Sequence, residues 1–279
     1  MNILTFDIED WYCRDMANSD REWEKKEVRI YEGVDMILST LENKGTKGTF
    51  FCLGWLAEHH PAVIKQIADA GHQIGCHSYQ HDVATRFTPE EFKQDTFRAK
   101  SLLEDVSGKP VELFRAPAFS VTKSNLFVFE VLSELGFTTD CSIFPANRDD
   151  GGMPSYGSVE PSVIEYNGIS IKEFPIHPFS IAGRNIVYSG GGYFRLFPYW
   201  VIKYLTQKQD YVMSYFHTAD FDVNQPPWDY LPKWNQLKCS IGLKGAYKKF
   251  ENYLSDFDFI NIEQADALID GQTCKKVGL

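Results

Sequence analysis

Short apolar runs alternate with longer amphipathic stretches through most of this 279-residue chain. The run Ile3–Phe6 predicts a buried strand, and the stretch Val34–Leu41 then has apolar residues at helical spacing and ends before Gly45. At least five such strand-then-helix units follow one another. Parallel neighbouring strands need crossover connections of this kind, so the order predicts parallel strands covered by helices. The fold is thereby restricted to an open doubly wound α/β sheet or a barrel.

The segments follow from apolar periodicity and from the residues that bound them. The predicted strands are Ile3–Phe6, Gly48–Leu53, Gln73–Cys76, Val111–Phe114, Phe137–Asp140, Ile169–Ile176, Tyr211–Phe216 and Phe257–Ile262. The predicted helices are Val34–Leu41, Pro61–Ala68, Thr88–Val106, Phe127–Leu135, Phe197–Thr206 and Ala246–Leu254. Residues 145–162 are rich in Gly, Pro, Ser, Asp and Asn, which predicts a loop insertion, and loops of that length tend to be functional. We predict a single domain over residues 1–279 with this insertion.

Polar residues stand directly after five of the predicted strands: Asp7, His77, Arg115, Asp140 and His217. The carboxyl ends of the parallel strands of a barrel meet at one face, where barrel enzymes keep their chemistry. This placement favours the barrel over the open sheet. No glycine-rich dinucleotide fingerprint follows a strand, and Gly190-Gly191-Gly192 is expected to lead into Tyr193 without a helix, as a poor phosphate loop.

The net charge and the spacing of the cysteines restrict the possible binding partners and the cellular compartment. A formal net charge of −10 argues against nucleic acid as a partner, because no basic excess is available to displace phosphate counterions. No apolar run of transmembrane length and no signal peptide is recognised. The six cysteines lack paired spacings such as C-x-x-C, which favours reduced thiols in a cytoplasmic protein.

The stretch Cys76-His77-Ser78-Tyr79-Gln80-His81 contains two histidines four residues apart. On one face of a helical turn, both rings would reach a single ion. Two imidazoles and a distant carboxylate leave coordination positions open for water, as in catalytic metal sites. The alternative is a chance pair on a solvated face.

At this point the chain resembles the polysaccharide deacetylases, carbohydrate esterase family 4. The similar motifs are Thr5-Phe6-Asp7, His77-Ser78-Tyr79-Gln80-His81, Arg115-Ala116-Pro117-Ala118-Phe119, Asp140-Cys141-Ser142 and Tyr215-Phe216-His217, in the family's order. Two further stretches, Asp7-Ile8-Glu9-Asp10-Trp11 and the segment from Gly190 to Pro198, resemble the branch tied to bacterial surface and exported polysaccharides. The resemblance implies a distorted (β/α) barrel of about seven parallel strands.

The resemblance also implies a ligand set for a divalent metal. His77 and His81 would bind the ion together with an acid from the first motif. The usual family pattern has two adjacent aspartates, whereas Ile8 follows Asp7 here, so both Glu9 and Asp10 remain candidates for the third ligand. Zinc is the usual ion for two histidines and a carboxylate, and other first-row divalent ions also fit.

The remaining site residues take their roles from the same resemblance. Asp7 would be the general base, held ionised by Arg115, and His217 the general acid, its pKa raised by Asp140. The backbone N–H of Phe119 would bind the oxyanion and its ring would line the cleft. Trp11 and His177 are candidate substrate-binding residues.

We therefore predict a metal-dependent hydrolase that removes an N-acetyl group from a sugar of a cell-surface polysaccharide or its precursor. An N-acetylated saccharide is the expected partner, and the sequence does not indicate the oligomeric state. Two alternatives are a hydrolase of small cyclic or linear amides on the same fold, and an inactive homologue that only binds glycans.

Overall fold

A mostly parallel sheet lies at the centre of the fold. In the computed structural model the described residues are 1–14, 21–148, 151–181, 184–226, 233–269 and 274–279. Their strands are β1 (Asn2–Ile8), β2 (Thr49–Cys52), β3 (Gln73–Cys76), β4 (Leu113–Phe114), β5 (Thr139–Asp140), β6 (Ser162–Tyr166), β7 (Ile169–Glu173), β8 (Phe179–Ile181), β9 (Arg184–Ile186), β10 (Val212–His217) and β11 (Lys275–Gly278). Within the described ranges, nine of them form one sheet in the order β10-β1-β2-β3-β4-β5-β7-β6-β11, and β8 and β9 form a separate hairpin.

The seven strands from β10 to β7 in that order run parallel, which confirms the predicted fold class and strand number. β6 joins the edge antiparallel to β7, and β11 pairs with β6. Between β7 and β10, in the described part of the chain, single bonds replace a ladder. Gly190 forms one parallel bridge to Tyr215 of β10, and the hydroxyl of Tyr211 donates to the carbonyl of Pro175, which follows β7. These contacts are what makes the barrel a distorted one.

Helices follow the strands as the crossover rule requires. They are α1 (Ile30–Lys44), α2 (Gly54–His59), α3 (Pro61–Asp69), α4 (Pro89–Ser107), α5 (Phe127–Glu134), α6 (Gly191–Leu196), α7 (Tyr199–Thr206), α8 (Lys233–Ser240), α9 (Leu243–Asp256) and α10 (Ile262–Leu268). The start of α4 shows how the sequence sets a boundary. Thr88 and Glu91 form a reciprocal capping box and Pro89 occupies the first turn, so the free N–H groups there are satisfied. No helix in the described ranges is long and apolar enough to cross a membrane.

Stacked aromatic rings fill the space between the sheet and the helices. Phe6 stacks on Phe50 at 4.7 Å between ring centroids, and Phe250 of α9 meets Phe6 edge-on at 6.0 Å. All three side chains are fully buried, and each such burial stabilises the fold by roughly 2–3 kcal/mol. The same apolar cluster extends from Leu4 in the first strand to Val277 in the last.

Two predicted segments differ from the structure, and a third agrees with it. Gly191–Leu196 is a short helix, so the expectation that no helix follows the three glycines is wrong. The predicted last strand is reduced to one bridge from Ile260 to Ile3, because α10 begins at Ile262. The predicted insertion near 145–162 contains no helix or strand in its described residues before Ser162, as expected.

Candidate metal centre and catalytic site

A buried ion pair joins the ends of β1 and β4. Asp7 lies near the carboxyl end of β1, and Arg115 follows β4 directly. The Arg115 Nη1 donates to Asp7 Oδ1 at 2.7 Å and to Thr5 Oγ1 at 2.9 Å, and the guanidinium stacks on Phe51 at 4.1 Å from the ring centroid. Burial alone would raise the pKa of Asp7, but the charge of Arg115, with those of His77 and His217, lowers it below its ordinary value. Asp7 is therefore an ionised, oriented carboxylate, as a general base must be.

His77 is oriented by the backbone of the neighbouring strand. Because Cys76 pairs in register with Phe114, His77 and Arg115 emerge side by side. The His77 Nδ1–H donates to the carbonyl oxygen of Arg115 at 2.7 Å, which leaves Nε2 as a lone-pair donor. Burial, together with the nearby His81, lowers the pKa of His77 to about 4. A neutral imidazole with a fixed tautomer is the form that binds a metal.

The two histidines do not share a helical turn, which corrects the argument from their spacing. Residues 77–83 form a loop in which Ser78 and His81 have φ of 67° and 59°, and the His81 N–H donates to Ser78 Oγ at 3.0 Å. The carbonyls of Ser78 and Tyr79 accept the first two N–H groups of α2, so the loop caps that helix. Positive φ at non-glycine residues costs energy and is found at functional sites. This tight loop brings the two rings to 5.2 Å between centroids.

The structure distinguishes between the two candidate third ligands. Asp10 is occupied elsewhere: its carboxylate accepts the N–H groups of Trp11, Arg29 and Ile30 at 2.8–3.0 Å and so holds the start of α1. The carboxylate of Glu9 instead faces the histidines, with Oε2 at 2.8 Å from His81 Nε2. Glu9 is the third residue of the cluster, and Asp10 is a structural capping residue.

Glu9, His77 and His81 together fit a divalent metal. One ligand atom from each lies within 4.8 Å of the other two, and all three residues are buried. Glu9 is 1% exposed, and a carboxylate buried beside two imidazoles is explained well by an ion. The set of two nitrogens and one oxygen is that of catalytic zinc sites, which keep a coordination position open.

His217 completes the group from the end of β10. Asp7 and His217 are register partners on adjacent strands, so both side chains reach the same point of the barrel mouth. His217 Nε2 lies 3.8 Å from Asp7 Oδ2 and 3.6 Å from Glu9 Oε1. The side chain of His217 is 11% exposed, which allows a bound molecule to approach it.

The partner of His217 is Asp220, a residue that the sequence reasoning missed. Asp220 Oδ2 accepts both from the His217 N–H and from Nδ1, each at 3.0 Å. Asp140, which was expected to act on His217, lies in β5, five positions from β10 in the order of the sheet, and accepts from Ser142 Oγ at 2.5 Å. That expectation is wrong because β10 neighbours β1 and not β5. The His-x-x-Asp spacing, which closes a capping turn, was the available signal for Asp220.

Asp140 belongs to a buried pair of carboxyl groups. It is in register with Glu173 of β7, and both residues are fully buried. Burial and the neighbouring Asp140 raise the pKa of Glu173 well above its ordinary value. Two buried carboxyls in register repel each other when both are ionised, which favours the protonated form of Glu173.

Phe119 lies beside the site, but its backbone differs from the expectation. Its ring meets Tyr215 edge-on at 5.4 Å and lies 5.6 Å from the Arg115 guanidinium. The Phe119 N–H donates to the carbonyl of Ala116 at 3.1 Å, so this N–H is not free for an oxyanion. The described part of the 145–162 insertion packs here, because the Gly152 N–H donates to the Phe119 carbonyl at 3.1 Å.

The two predicted substrate residues lie in different surroundings. Trp11 is 7% exposed, and its indole N–H donates to the carbonyl of Glu27 at 3.0 Å, which anchors the segment before α1. The ring of His177 lies 6.2 Å from that of Tyr211. None of the contacts found among the described residues joins His177 to the metal cluster.

Comparisons with known proteins agree with this geometry. Residues 4–139, just under half of the chain, match the sequence profile of the polysaccharide deacetylase family, and residues 141–267 match DUF3473, a domain of unknown function. A peptidoglycan-N-acetylglucosamine deacetylase of Bacillus cereus is 31% identical over 90 residues, which are 32% of this chain and 33% of the relative. The peptidoglycan-N-acetylmuramic acid deacetylase PdaA of Bacillus subtilis is 28% identical over 103 residues, 37% of this chain and 38% of the relative. The chain thus spans about a third of the length of these curated relatives.

Solved structures show the same fold. A provisionally named polysaccharide deacetylase from Mycobacterium smegmatis superposes with a TM-score of 0.67 at 19% identity, over 100% of this chain and 92% of that one. A pseudoenzyme of carbohydrate esterase family 4 from Bacillus anthracis gives a TM-score of 0.52 at 13% identity, over 100% and 69% of the two chains. Since that fold also occurs in a pseudoenzyme, the site residues must carry any conclusion about activity.

Proposed function

We propose that this chain, whose residues 4–139 match the polysaccharide deacetylase family, is a metal-dependent hydrolase that removes the acetyl group from an N-acetylated sugar. The observation that carries the proposal is the joint placement of Glu9, His77 and His81 beside the Arg115-held Asp7 and beside His217. These six residues come from four segments: the end of β1, the loop after β3, the residue after β4 and the end of β10. A bound metal explains why a buried carboxylate and two buried imidazoles meet at one point.

Glu9, His77 through Nε2 and His81 would hold the divalent ion, with zinc as the first candidate. When bound, such an ion polarises a carbonyl oxygen and lowers the pKa of water. Asp7 Oδ2 is the carboxylate oxygen that faces His217, since Oδ1 accepts from Arg115. We assign Oδ2 as the atom that takes the proton of the attacking water.

The leaving nitrogen needs a proton when the C–N bond breaks, because an amide anion is a very poor leaving group. His217 Nε2 is the donor with the required position, 3.8 Å from Asp7 Oδ2 and 3.6 Å from Glu9 Oε1. Asp220 accepts the proton on Nδ1, so the proton that the ring gives to the leaving nitrogen is a second one, on Nε2, and the Nδ1–H bond to Asp220 remains after the transfer. Asp7 and His217 thus divide the two proton transfers between them.

We further propose that the sugar belongs to a cell-surface or exported polysaccharide or to its precursor. The named relatives from Bacillus act on N-acetylated sugars of peptidoglycan, which supports an N-acetylhexosamine as the minimal substrate. The stretches around Asp7–Trp11 and Gly190–Pro198 support the exported-polysaccharide branch. Cytoplasmic location is proposed on the cysteine spacing alone, and fractionation of the producing cell tests it.

Acetate release from N-acetylglucosamine oligosaccharides by chelator-treated and zinc-reconstituted protein tests the activity. We expect His77→Ala and Glu9→Gln to lose both the bound zinc, measured by elemental analysis, and the acetate release. His59→Ala is the matched control, because His59 stacks on Trp55 outside the cluster. Zinc-independent acetate release, or full activity of His77→Ala, would refute the proposal.

The same assay separates the two alternatives. Turnover of small cyclic or linear amides without any release of acetate from the oligosaccharides would indicate the small-amide hydrolase. Tight glycan binding by a zinc-loaded protein without release of acetate would indicate an inactive homologue. The presence of Asp7, Arg115 and His217 beside the cluster argues against the inactive homologue.

A further inference from the structure

A buried arginine lies behind the residue that holds His217. Arg195 Nε lies 3.1 Å from Asp220 Oδ1, and the other oxygen of that carboxylate bonds His217. The side chains of Arg195 and Asp220 are 5% and 2% exposed, so the ion pair is desolvated. Arg195 belongs to the glycine-rich segment, whose residues have no part in the mechanism described above.

The glycines of this segment allow the arginine to approach. A Cβ at Gly190 would lie 1.9 Å from the carbonyl oxygen of Tyr215, so only glycine permits the bridge that fixes the start of α6 to β10. Gly242 has φ of 74°, and a Cβ there would lie 2.2 Å from the Arg195 carbonyl oxygen. The first contact holds the start of α6 against β10, at whose end His217 lies, and the second packs the turn before α9 against Arg195 of α6.

Other contacts fix the far side of the arginine. Its Nη1 donates to the carbonyl of Cys239, and Lys249 Nζ donates to the Arg195 carbonyl at 2.6 Å and to the Phe197 carbonyl at 2.7 Å. The guanidinium is thus anchored at one end by α8 and at the other by Asp220. The Arg195 contact with Asp220 is a desolvated ion pair, and the bond of Nη1 to Cys239 holds the guanidinium beside that carboxylate. A lysine would supply the charge without this second anchor.

We infer that Arg195 is a positioning residue for the deacetylation: it fixes Asp220, and through it the ring of His217, so that Nε2 presents its proton to the leaving nitrogen. This inference rests on the proposed function. In the step concerned, the C–N bond breaks, its electron pair goes to nitrogen, and nitrogen takes the proton from His217 Nε2. Arg195 touches neither the substrate nor the reacting atoms.

Two substrates with different leaving groups distinguish a positioning role of Arg195 from a general loss of structure. Nitrogen leaves an acetamide only when it is protonated, whereas 4-nitrophenolate leaves its acetate ester without a proton. We therefore measure zinc-loaded wild type, Arg195→Gln, Arg195→Lys and Asp220→Asn with N-acetylglucosamine oligosaccharides and with 4-nitrophenyl acetate. Lys93→Gln, which removes one exposed positive charge paired with Glu134, is the control.

For Arg195→Gln we expect kcat on the oligosaccharide to fall about 10- to 100-fold while ester hydrolysis stays within about twofold of wild type. Asp220→Asn should lower kcat on the oligosaccharide further than Arg195→Gln does. Arg195→Lys should recover part of the kcat that Arg195→Gln loses, because lysine restores the charge but not the second anchor at Cys239. Equal losses on both substrates, or no loss on either, would overturn the inference.

An activity-independent measurement keeps the inference separate from the proposed function. The Nδ1–H resonance of His217, assigned with His217→Gln, reports the hydrogen bond to Asp220 by proton NMR. We expect this resonance to be lost in Asp220→Asn and displaced or broadened in Arg195→Gln. Thermal unfolding, compared with that of Lys93→Gln, shows whether each variant is folded. An unchanged resonance in a folded Arg195→Gln would overturn the inference whatever the enzyme hydrolyses. An inactive wild type that shows the expected NMR changes would refute the proposed function and leave only the positioning contact.

Discussion

The substitution Arg115→Met tests whether the ion pair with Asp7 is as buried as the structure shows. Arg115 is fully buried, and the side chain of Asp7 is 5% exposed. Methionine keeps an unbranched apolar side chain over Phe51 but removes the ion pair and the bonds to Thr5 and Cys141. Removing one partner of a buried pair leaves an uncompensated charge, so we expect Arg115→Met to lower the free energy of unfolding by about 4 kcal/mol.

A more specific prediction is that Asp7→Asn changes the free energy of unfolding in opposite directions in wild type and in Arg115→Met. In wild type, Asp7→Asn leaves the Arg115 charge unpaired and should lower the free energy of unfolding by about 3 kcal/mol. In the Arg115→Met background, the same Asp7→Asn removes the last unpaired charge and should raise the free energy of unfolding by about 2 kcal/mol. Urea unfolding at neutral pH measures the free energy of unfolding of four chelator-treated proteins: wild type, the two single variants and the double variant. An effect of Asp7→Asn with the same sign in both backgrounds would refute the reasoning.

Three further predictions concern other parts of the chain. Calorimetry should show zinc binding weakened more than about 100-fold by Glu9→Gln and less than about tenfold by Asp10→Ala. Asp10→Ala should instead lower the free energy of unfolding by about 2 kcal/mol, because the N–H groups at the start of α1 lose their acceptor. The reverse pattern would mean that Asp10 is the ligand and Glu9 the capping residue. Burial and then the charge of Lys47 lower the pKa of His72 from 6.5 to about 4, so the stability it contributes is complete above pH 6.5 and is lost as pH falls towards 4. At 1.36 kcal/mol per pKa unit, wild type should lose about 3 kcal/mol more than His72→Gln between those limits, and equal losses in urea titrations would disprove this. Gly190→Ala should lower the free energy of unfolding by about 1–3 kcal/mol. Gly192→Ala, whose Cβ would make only an ordinary contact with Arg195 Nη2 at 3.9 Å, should lower it by less than about 0.5 kcal/mol. Similar values for both variants would contradict the close contact at Gly190.

The sequence allowed the general position of the site to be predicted because parallel strands end at a common face. Asp7, His77, Arg115 and His217 each follow or end a short apolar run, and a barrel brings such ends together whatever the loops do. The long capped helix at Thr88 was also readable, since its boundary depends only on local chemistry.

What depends on strand order or on loop geometry was not readable. The resemblance assigned Asp140 to His217, but the order of the sheet separates them. The loop between His77 and His81 takes positive φ at two residues with side chains, and local propensity does not predict such strain. The choice of Glu9 over Asp10 required the position of α1, whose first N–H groups occupy Asp10.

The central claim is that one metal ion, held by Glu9, His77 and His81, is required for the deacetylation. Titration of the chelator-treated chain with zinc, while acetate release from an N-acetylglucosamine oligosaccharide is followed, tests this most directly. We predict a rate that rises in proportion to added zinc and stops rising at one equivalent per chain, with no such rise in His81→Ala. Full acetate release by metal-free protein, or the same zinc dependence in His81→Ala, would contradict the account.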